Sequence, residues 1–361
     1  MSRARDVANL GSDTTNLEDI SSAYNAGALS NRNKIINGAM VIDQRNAGAS
    51  VSVGSGTFYG TDRWGAYANL ASKIAVQQNA GSVTPPDGYS NYVGITVDAA
   101  ANVSITSSDV FQLYQSIEGY NLIDIAFGKT NAKPLALSFW VRSSLTGTFS
   151  GSLYFGGSVA SYPFSYSISA ANTWEFKTIT IAATSTYAPN NTTNGFGAAL
   201  TFDLGAGSTY AGTAGAWAAG TKTKATGSVN LVETNSATFY ITGVQLEAGD
   251  TATPFEHRSY GQELALCQRY YEAGSGRQNI RNPSIADNNP FGALVGTDFR
   301  VSKRAAPTIA LGTATVSGCY TNSGSTENIT TSGFAQILLA QTSGAVSNMT
   351  LTQPWTASAE L

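Results

Sequence analysis

The chain has 361 residues, of which 42% are apolar and only 12% charged, where an average globular domain carries about a quarter charged. A net charge of −3 with 20 Lys and Arg spread along the chain leaves no basic footprint for a phosphate backbone, so no nucleic-acid partner is expected. No stretch approaches the ~18 consecutive apolar residues of a membrane span, and MSRARDVANLGSD has no apolar run behind its basic residues; neither membrane insertion nor a cleaved signal is expected.

This length and apolar content suffice for two or three structural units. A surface so poor in charge stays in solution through hydroxyls and amides, or is covered by partners. Residues 1–33 are polar and hold Arg3, Arg5, Asp6, Asp13, Glu18, Asp19 and Arg32. They lack the large apolar residues of a core and read as a tail, or as an attachment arm that folds against another protein.

Strand signals begin at Ile35. In PLALSFWV, Leu135, Leu137, Phe139 and Val141 alternate with Ser138 and Trp140, the period of a half-buried strand. GFGAALTFDLGAG repeats the pattern with Phe196, Ala198, Leu200, Phe202 and Leu204, and YVGITVDA, WEFKTITIAAT and ATFYITGVQLEAG are further β-rich runs bounded by turn residues. Many short strands without intervening helices predict an all-β fold, an antiparallel jelly-roll β-sandwich over 34–256.

One helix is expected over 259–273. Ser259 and Gln262 fit a capping box, Gly274 suits the residue after the last turn, and Leu264, Cys267 and Tyr271 make one stripe with Leu266 and Tyr270 beside it. That stripe needs a surface, either the end of the sandwich or equivalent helices of other subunits. Beyond it, APTIAL, GFAQILLA and MTLTQPW predict a small C-terminal β unit, so that 257–361 is helix plus β unit packed on the sandwich.

Catalytic chemistry finds little to work with. His257 is the one histidine, in FEHRSY at a turn; there is no Cys/His set for zinc and no phosphate loop, so no cofactor is expected. Asp62, Asp109, Glu118, Asp124 and Asp203 lie in the sandwich region and could pair for glycoside hydrolysis, but turn and sheet-edge roles explain them equally well. Nothing has the spacing of a calcium loop. Cys267 and Cys319 read as free thiols, and Asn102, Asn191, Asn328 and Asn348 open N-x-Ser/Thr triplets by chance in an Asn- and Thr-rich chain. Aromatics are plentiful, with 17 Tyr, 15 Phe and 5 Trp, and several stand in Gly- and Ser-rich loops. Trp217, Tyr210, Tyr187 and Tyr89 are the candidate sugar-stacking residues, while Trp64, Trp140 and Trp174 are read as core.

The segments NKIINGAMVIDQRNAGA, FYGTDRWGAY, IEGYNLIDIAFGKTNAKPLALSFWVRSSLTGTFSGSL, NTWEFKTITI, GSTYAGTAGAWAAG and ATFYITGVQLEAGDTATPFEHRSYGQELALCQRYYE, in this order, resemble a family of bacteriophage tail-fibre and related virion proteins from about Asn33 to Glu272. The closing WTASAEL resembles C-terminal ends in the same group. The resemblance implies a jelly roll similar to carbohydrate-binding modules, carried on virion fibres assembled in the host cytoplasm. It implies homotrimers that recognise host cell-surface polysaccharide, and it transfers no individual binding residue. The expectation is a non-enzymatic fibre subunit attached to other virion proteins through 1–33. The alternatives are a structural connector or head-decoration protein, and a polysaccharide depolymerase.

Overall fold

The alternation read in the sequence becomes two facing antiparallel sheets. A computed structural model describes residues 31–280, 290–317, 323–341 and 349–361. The strands of the sandwich are β1 (Val51–Ser52), β2 (Gly56–Thr61), β3 (Trp64–Ala68), β4 (Ile74–Gln78), β5 (Val93–Val97), β6 (Val110–Glu118), β7 (Leu135–Ser143) and β8 (Gly147–Phe155). They continue as β9 (Ala160–Ile168), β10 (Glu175–Ile181), β11 (Phe196–Ala206), β12 (Ala211–Gly212), β13 (Ala218–Ala219), β14 (Lys224–Ala225) and β15 (Thr238–Ala248). One sheet runs β1-β4-β5-β15-β7-β10 and the other β13-β9-β8-β11-β6-β3-β2. Successive strands from β5 to β8 change sheet each time, and β11 and β15 return to lie between earlier strands. That wrapping makes the sandwich a jelly roll, as its alternating strands predicted.

The core lies where the apolar sets of the two sheets meet. Leu135, Leu137, Phe139 and Val141 of β7 face Ala198, Leu200, Phe202 and Leu204 of β11, all fully buried. Phe139 lies edge-on to both Tyr166 and Phe202, each at 5.0 Å between centroids. Phe196 departs from the expected set: a register shift between Phe196 and Ala198 turns it to the outer face, 6.0 Å from Tyr154. A second irregularity interrupts β15 between Thr242 and Gln245, where Gly243 has φ +62° and a Cβ would strike the Tyr89 ring at 2.7 Å. Only glycine fits there.

Residues 33–42 thread the mouth of the sandwich. Asn33 is buried and donates from Nδ2 to the Val244 carbonyl at 3.1 Å, and Gln115 brackets Ile36 with two hydrogen bonds of 2.8 and 2.7 Å. The arm expected over 1–33 lies outside the described residues as far as residue 30; Asn31–Asn33 already belong to this closure, with Asn33 NH bonded to Glu256 at 2.9 Å.

The helix α1 (Tyr260–Gln268) starts as expected, with Ser259 and Gln262 forming the reciprocal capping box. Its end does not. α1 stops at Gln268, and β16 (Tyr271–Ile280) begins two residues after Arg269. Gly274 is therefore no cap: it lies within β16, where a Cβ would meet Trp355 Cζ2 at 2.4 Å. The glycine was needed for close approach of an indole, a second reason for its presence that a helix pattern cannot reveal. Cys267 and Tyr270 pack with Ile36 and Ile42, so the stripe is buried against the mouth of the sandwich in the same chain.

β16 opens the C-terminal unit, followed by β17 (Pro290–Asp298), β18 (Thr308–Leu311), β19 (Thr315–Ser317), β20 (Ser323–Glu327), β21 (Gly333–Gln341) and β22 (Met349–Ser358). β22 pairs with β16, β18 and β19, and β21 lies between β17 and β20. Phe299, Phe334, Trp355 and Ala357 form its small core. Cys267 is a buried free thiol; Cys319 lies outside the described residues.

Ion pairs and aromatic rings seal this unit to the sandwich. Glu118 at the end of β6 takes Arg269 through two bonds, 3.0 and 2.5 Å, and the Tyr270 hydroxyl at 2.6 Å. Glu360 pairs with Arg45 and Arg63, whose guanidiniums lie 3.6 Å from the Tyr271 ring and 3.5 Å from the Tyr270 ring. Lys303, fully buried, is neutralised by Glu272 at 2.6 Å.

Candidate glycan-binding face

The four loop aromatics picked from sequence fall in three places. Trp217 stacks on Phe155 at 4.9 Å and meets Phe127 edge-on at 5.5 Å, while its Nε1 donates to the Ala182 carbonyl at 2.7 Å. Tyr187 joins it at 6.4 Å. This half-buried group closes the sandwich where β13 pairs with β9. Tyr210 lies apart, half-buried at the start of the excursion from β11, where its carbonyl accepts the Thr223 NH at 2.9 Å. Tyr89 packs on Phe255 and His257 at 5.3 and 5.6 Å beneath Gly243. The set does not converge on one surface.

Of the tryptophans read as core, Trp64 is buried, 6.3 Å from Phe202. Trp140 and Trp174 are half-buried: Trp140 points outward from β7, opposite the parity of Phe139, while Trp174 packs on the small buried cluster of Ala80, Tyr92 and Tyr240 and donates to the Thr84 carbonyl at 2.9 Å. The acids considered for hydrolysis each have a local partner. Asp62 takes Gln44, Asp109 takes Thr106 and Asn69, Asp124 pairs with Lys34, and Glu118 holds the seam. Asp203 is buried beneath Lys224, bonded by Ser150 and Ser228, and burial pushes its carboxyl up to about 7.

A different surface gathers what stacking needs. Along β6 the residues Phe111, Leu113 and Ile117 face the core, which turns Gln112 and Tyr114 outward. The register places Tyr67 of β3 beside Gln112, and Gly65 of β3 and Thr201 of β11 on either side of Tyr114. Ser152 of β8 lies opposite Thr201, with Tyr154 two residues along. The outer face of the seven-stranded sheet thus carries Tyr67, Tyr114 and Tyr154, each half-buried, over a buried floor of Gln112, Thr201 and Ser152.

The local reasons are legible. Gly65 has no Cβ, which would meet Thr57 at 2.8 Å and the Tyr114 ring at 3.1 Å, so the Tyr114 ring can settle across β3. Its hydroxyl shares a 2.8 Å hydrogen bond with Thr57 Oγ1. Burial pushes the Tyr154 phenol up to about 12, with Tyr114 adding to the shift and the Gln112 amide hydrogen bond opposing it. The Tyr154 phenol therefore stays protonated at neutral pH. Gln112 Oε1 and Ser152 Oγ lie beneath these rings, buried and with no protein partner. The charges that reach the rim, Glu118 and Asp203, are buried and paired. What remains is uncharged, aromatic and hydroxyl-rich, able to stack on the C–H face of a ring and bond its hydroxyls.

Sequence reasoning passed over this face because it sought aromatics in loops. The signal was present in VFQLYQSIE and GSLYF, where Tyr114 and Tyr154 fall on the polar parity of strands whose other parity is Phe and Leu. Among the described residues no group of three or more metal-ligating side chains is present, and no helix is long and apolar enough to cross a membrane.

No protein-family model and no curated protein matches the chain. Among solved structures, the enzymatically active domain of tailspike protein 4 from bacteriophage CBA120 aligns at 14% identity and a TM-score of 0.33, covering 60% of this chain and 21% of that one. The chain thus spans about a fifth of that tailspike domain's length, 21%. A family 4 carbohydrate-binding module aligns at 17% identity and TM-score 0.29, over 59% of this chain and 99% of that one. A family 11 carbohydrate-binding module from Clostridium thermocellum aligns at 14% identity and TM-score 0.27, over 56% and 100%. The jelly-roll assignment rests on the strand order of this chain itself.

Proposed function

We propose that the protein is a non-enzymatic glycan-binding subunit of a virion fibre, holding a neutral glycan chain on the outer face of its seven-stranded sheet. One observation carries this reading: Tyr67, Tyr114 and Tyr154 stand half-buried around Gln112 on an uncharged face. The ligand, in this reading, is a host cell-surface polysaccharide; the fibre is a homotrimer, joined to other virion proteins through residues 1–33. The virion role and the trimer are supported by the sequence resemblance described above, and the sugar face by the geometry.

The experiment is affinity electrophoresis and calorimetry of the full chain against neutral polysaccharides and host envelope polysaccharide. Retardation that is lost in Tyr114→Ala and Tyr154→Ala supports the reading. Release of reducing sugar would make the protein a depolymerase instead, and a chain that assembles but binds no polysaccharide would make it a connector.

A further inference from the structure

The outer face of the other sheet holds an aromatic pair that the tyrosine face does not use. Trp140 on β7 lies directly opposite Phe176 on β10, their ring centroids 5.4 Å apart. Phe176 is 48% exposed on an edge strand whose other outward residues are Thr178 and Thr180. Leaving such a ring in water forgoes up to about 1.5–3 kcal/mol of burial, and with Trp140 packed beside it the exposure is a two-ring patch on a threonine face, not a scattered single residue. The loop that covers neighbouring β15 stops short of it: Thr242, the register partner of Trp140, is held by the Asn91 carbonyl at 2.7 Å, and the cover ends there.

Arg142 adds a charge. It follows Trp140 by two residues on the same face of β7, about 7 Å along the strand. Its Nε donates to the Asn172 carbonyl at 2.9 Å, which fixes the guanidinium. No carboxylate among the described residues pairs with it. Arg45 and Arg63, the other arginines of the sandwich, are both ion-paired to Glu360, so an arginine fixed by its Nε beside exposed rings stands out among them.

We propose that this face is a second glycan site, specific for an acidic sugar: a uronic-acid ring stacks on Trp140 and Phe176 while the Arg142 Nη atoms take its carboxylate. The planar guanidinium fork matches a carboxylate in two parallel hydrogen bonds, and two outward rings at this spacing offer a platform for one ring face. A neutral sugar would leave the guanidinium with only the Asn172 carbonyl and the Tyr240 ring, 5.5 Å from its Cζ. The chain would then grip acidic and neutral segments on opposite faces, and two weak sites on one fibre multiply in avidity. The inference shares the glycan reading of the tyrosine face but does not need that face to bind.

The test is titration of the full chain, carrying Tyr114→Ala and Tyr154→Ala to silence the first face, with trigalacturonate and with a neutral trisaccharide. Uronate binding is expected, weakening as salt rises. Arg142→Gln and Phe176→Ser should each cut uronate affinity about tenfold, while the neutral trisaccharide shows no saturable binding in this background. Phe176 is exposed, so the serine variant tests the site without disturbing the core. Uronate affinity equal in all three proteins would overturn the proposal, as would a wild-type assembly in sedimentation that Phe176→Ser disperses, which would make the pair an interface between copies. Loss of neutral binding in the double tyrosine variant, compared with wild type, reports separately on the first face.

Discussion

At the scale of residues, buried charges and glycines set the conditions of this fold. Asp203 is fully buried, and its carboxyl rises from an ordinary 3.8 to about 7. Between those values the folded chain holds a proton that the unfolded chain has released, so stability falls as pH rises through that window and levels off above it. Asp62, raised by burial to about 6, adds to the same trend. Asp203→Asn should flatten much of this slope, seen as urea midpoints at pH 5 and pH 8 that draw together. Gly274 makes a different demand: with Trp355 Cζ2 2.4 Å from a built Cβ, Gly274→Val should destabilise the C-terminal unit by about 1–3 kcal/mol, measured by hydrogen exchange along β16 and β22. Its sequence context suggested a helix end because Gly after an apolar stripe has two physical readings, and only the indole across the strand decides between them.

At the scale of elements, period-two patterns were read correctly where both parities are distinct. β7 and β11 kept the apolar sets read from sequence, apart from Phe196, which a local register shift turned outward. The start of α1 was equally legible, since a capping box is a local chemical signature. Ser259→Ala should cost about 1 kcal/mol, measured by thermal melting, because it strips the cap while leaving the buried Cys267 and Tyr270 in place. The candidate site was much less legible. Tyr114, Tyr154 and Tyr67 come from three strands far apart in sequence, and nothing in one stretch says that β3, β6 and β8 share a sheet face. Loop aromatics were the visible ones, yet Trp217 and Tyr187 spend their rings on closing the sandwich edge.

At the scale of the molecule, the jelly roll and the C-terminal unit act as one body through the Glu360, Arg45, Arg63, Glu118 and Arg269 seam. Removing one partner strands buried guanidiniums. Glu360→Ala should therefore cost about 3–5 kcal/mol and split a single thermal transition into two, visible by calorimetry.

In the proposed function, the outer face of the seven-stranded sheet holds a neutral glycan through Tyr114 and Tyr154. The most direct measurement is calorimetric titration of the full chain and of the Tyr114→Ala, Tyr154→Ala double variant with the same neutral polysaccharide, both shown folded by circular dichroism. The account predicts saturable binding by the wild type and a loss of at least about tenfold in the variant, since each stacking ring contributes on the order of 1 kcal/mol. Equal affinity in the two proteins would contradict it.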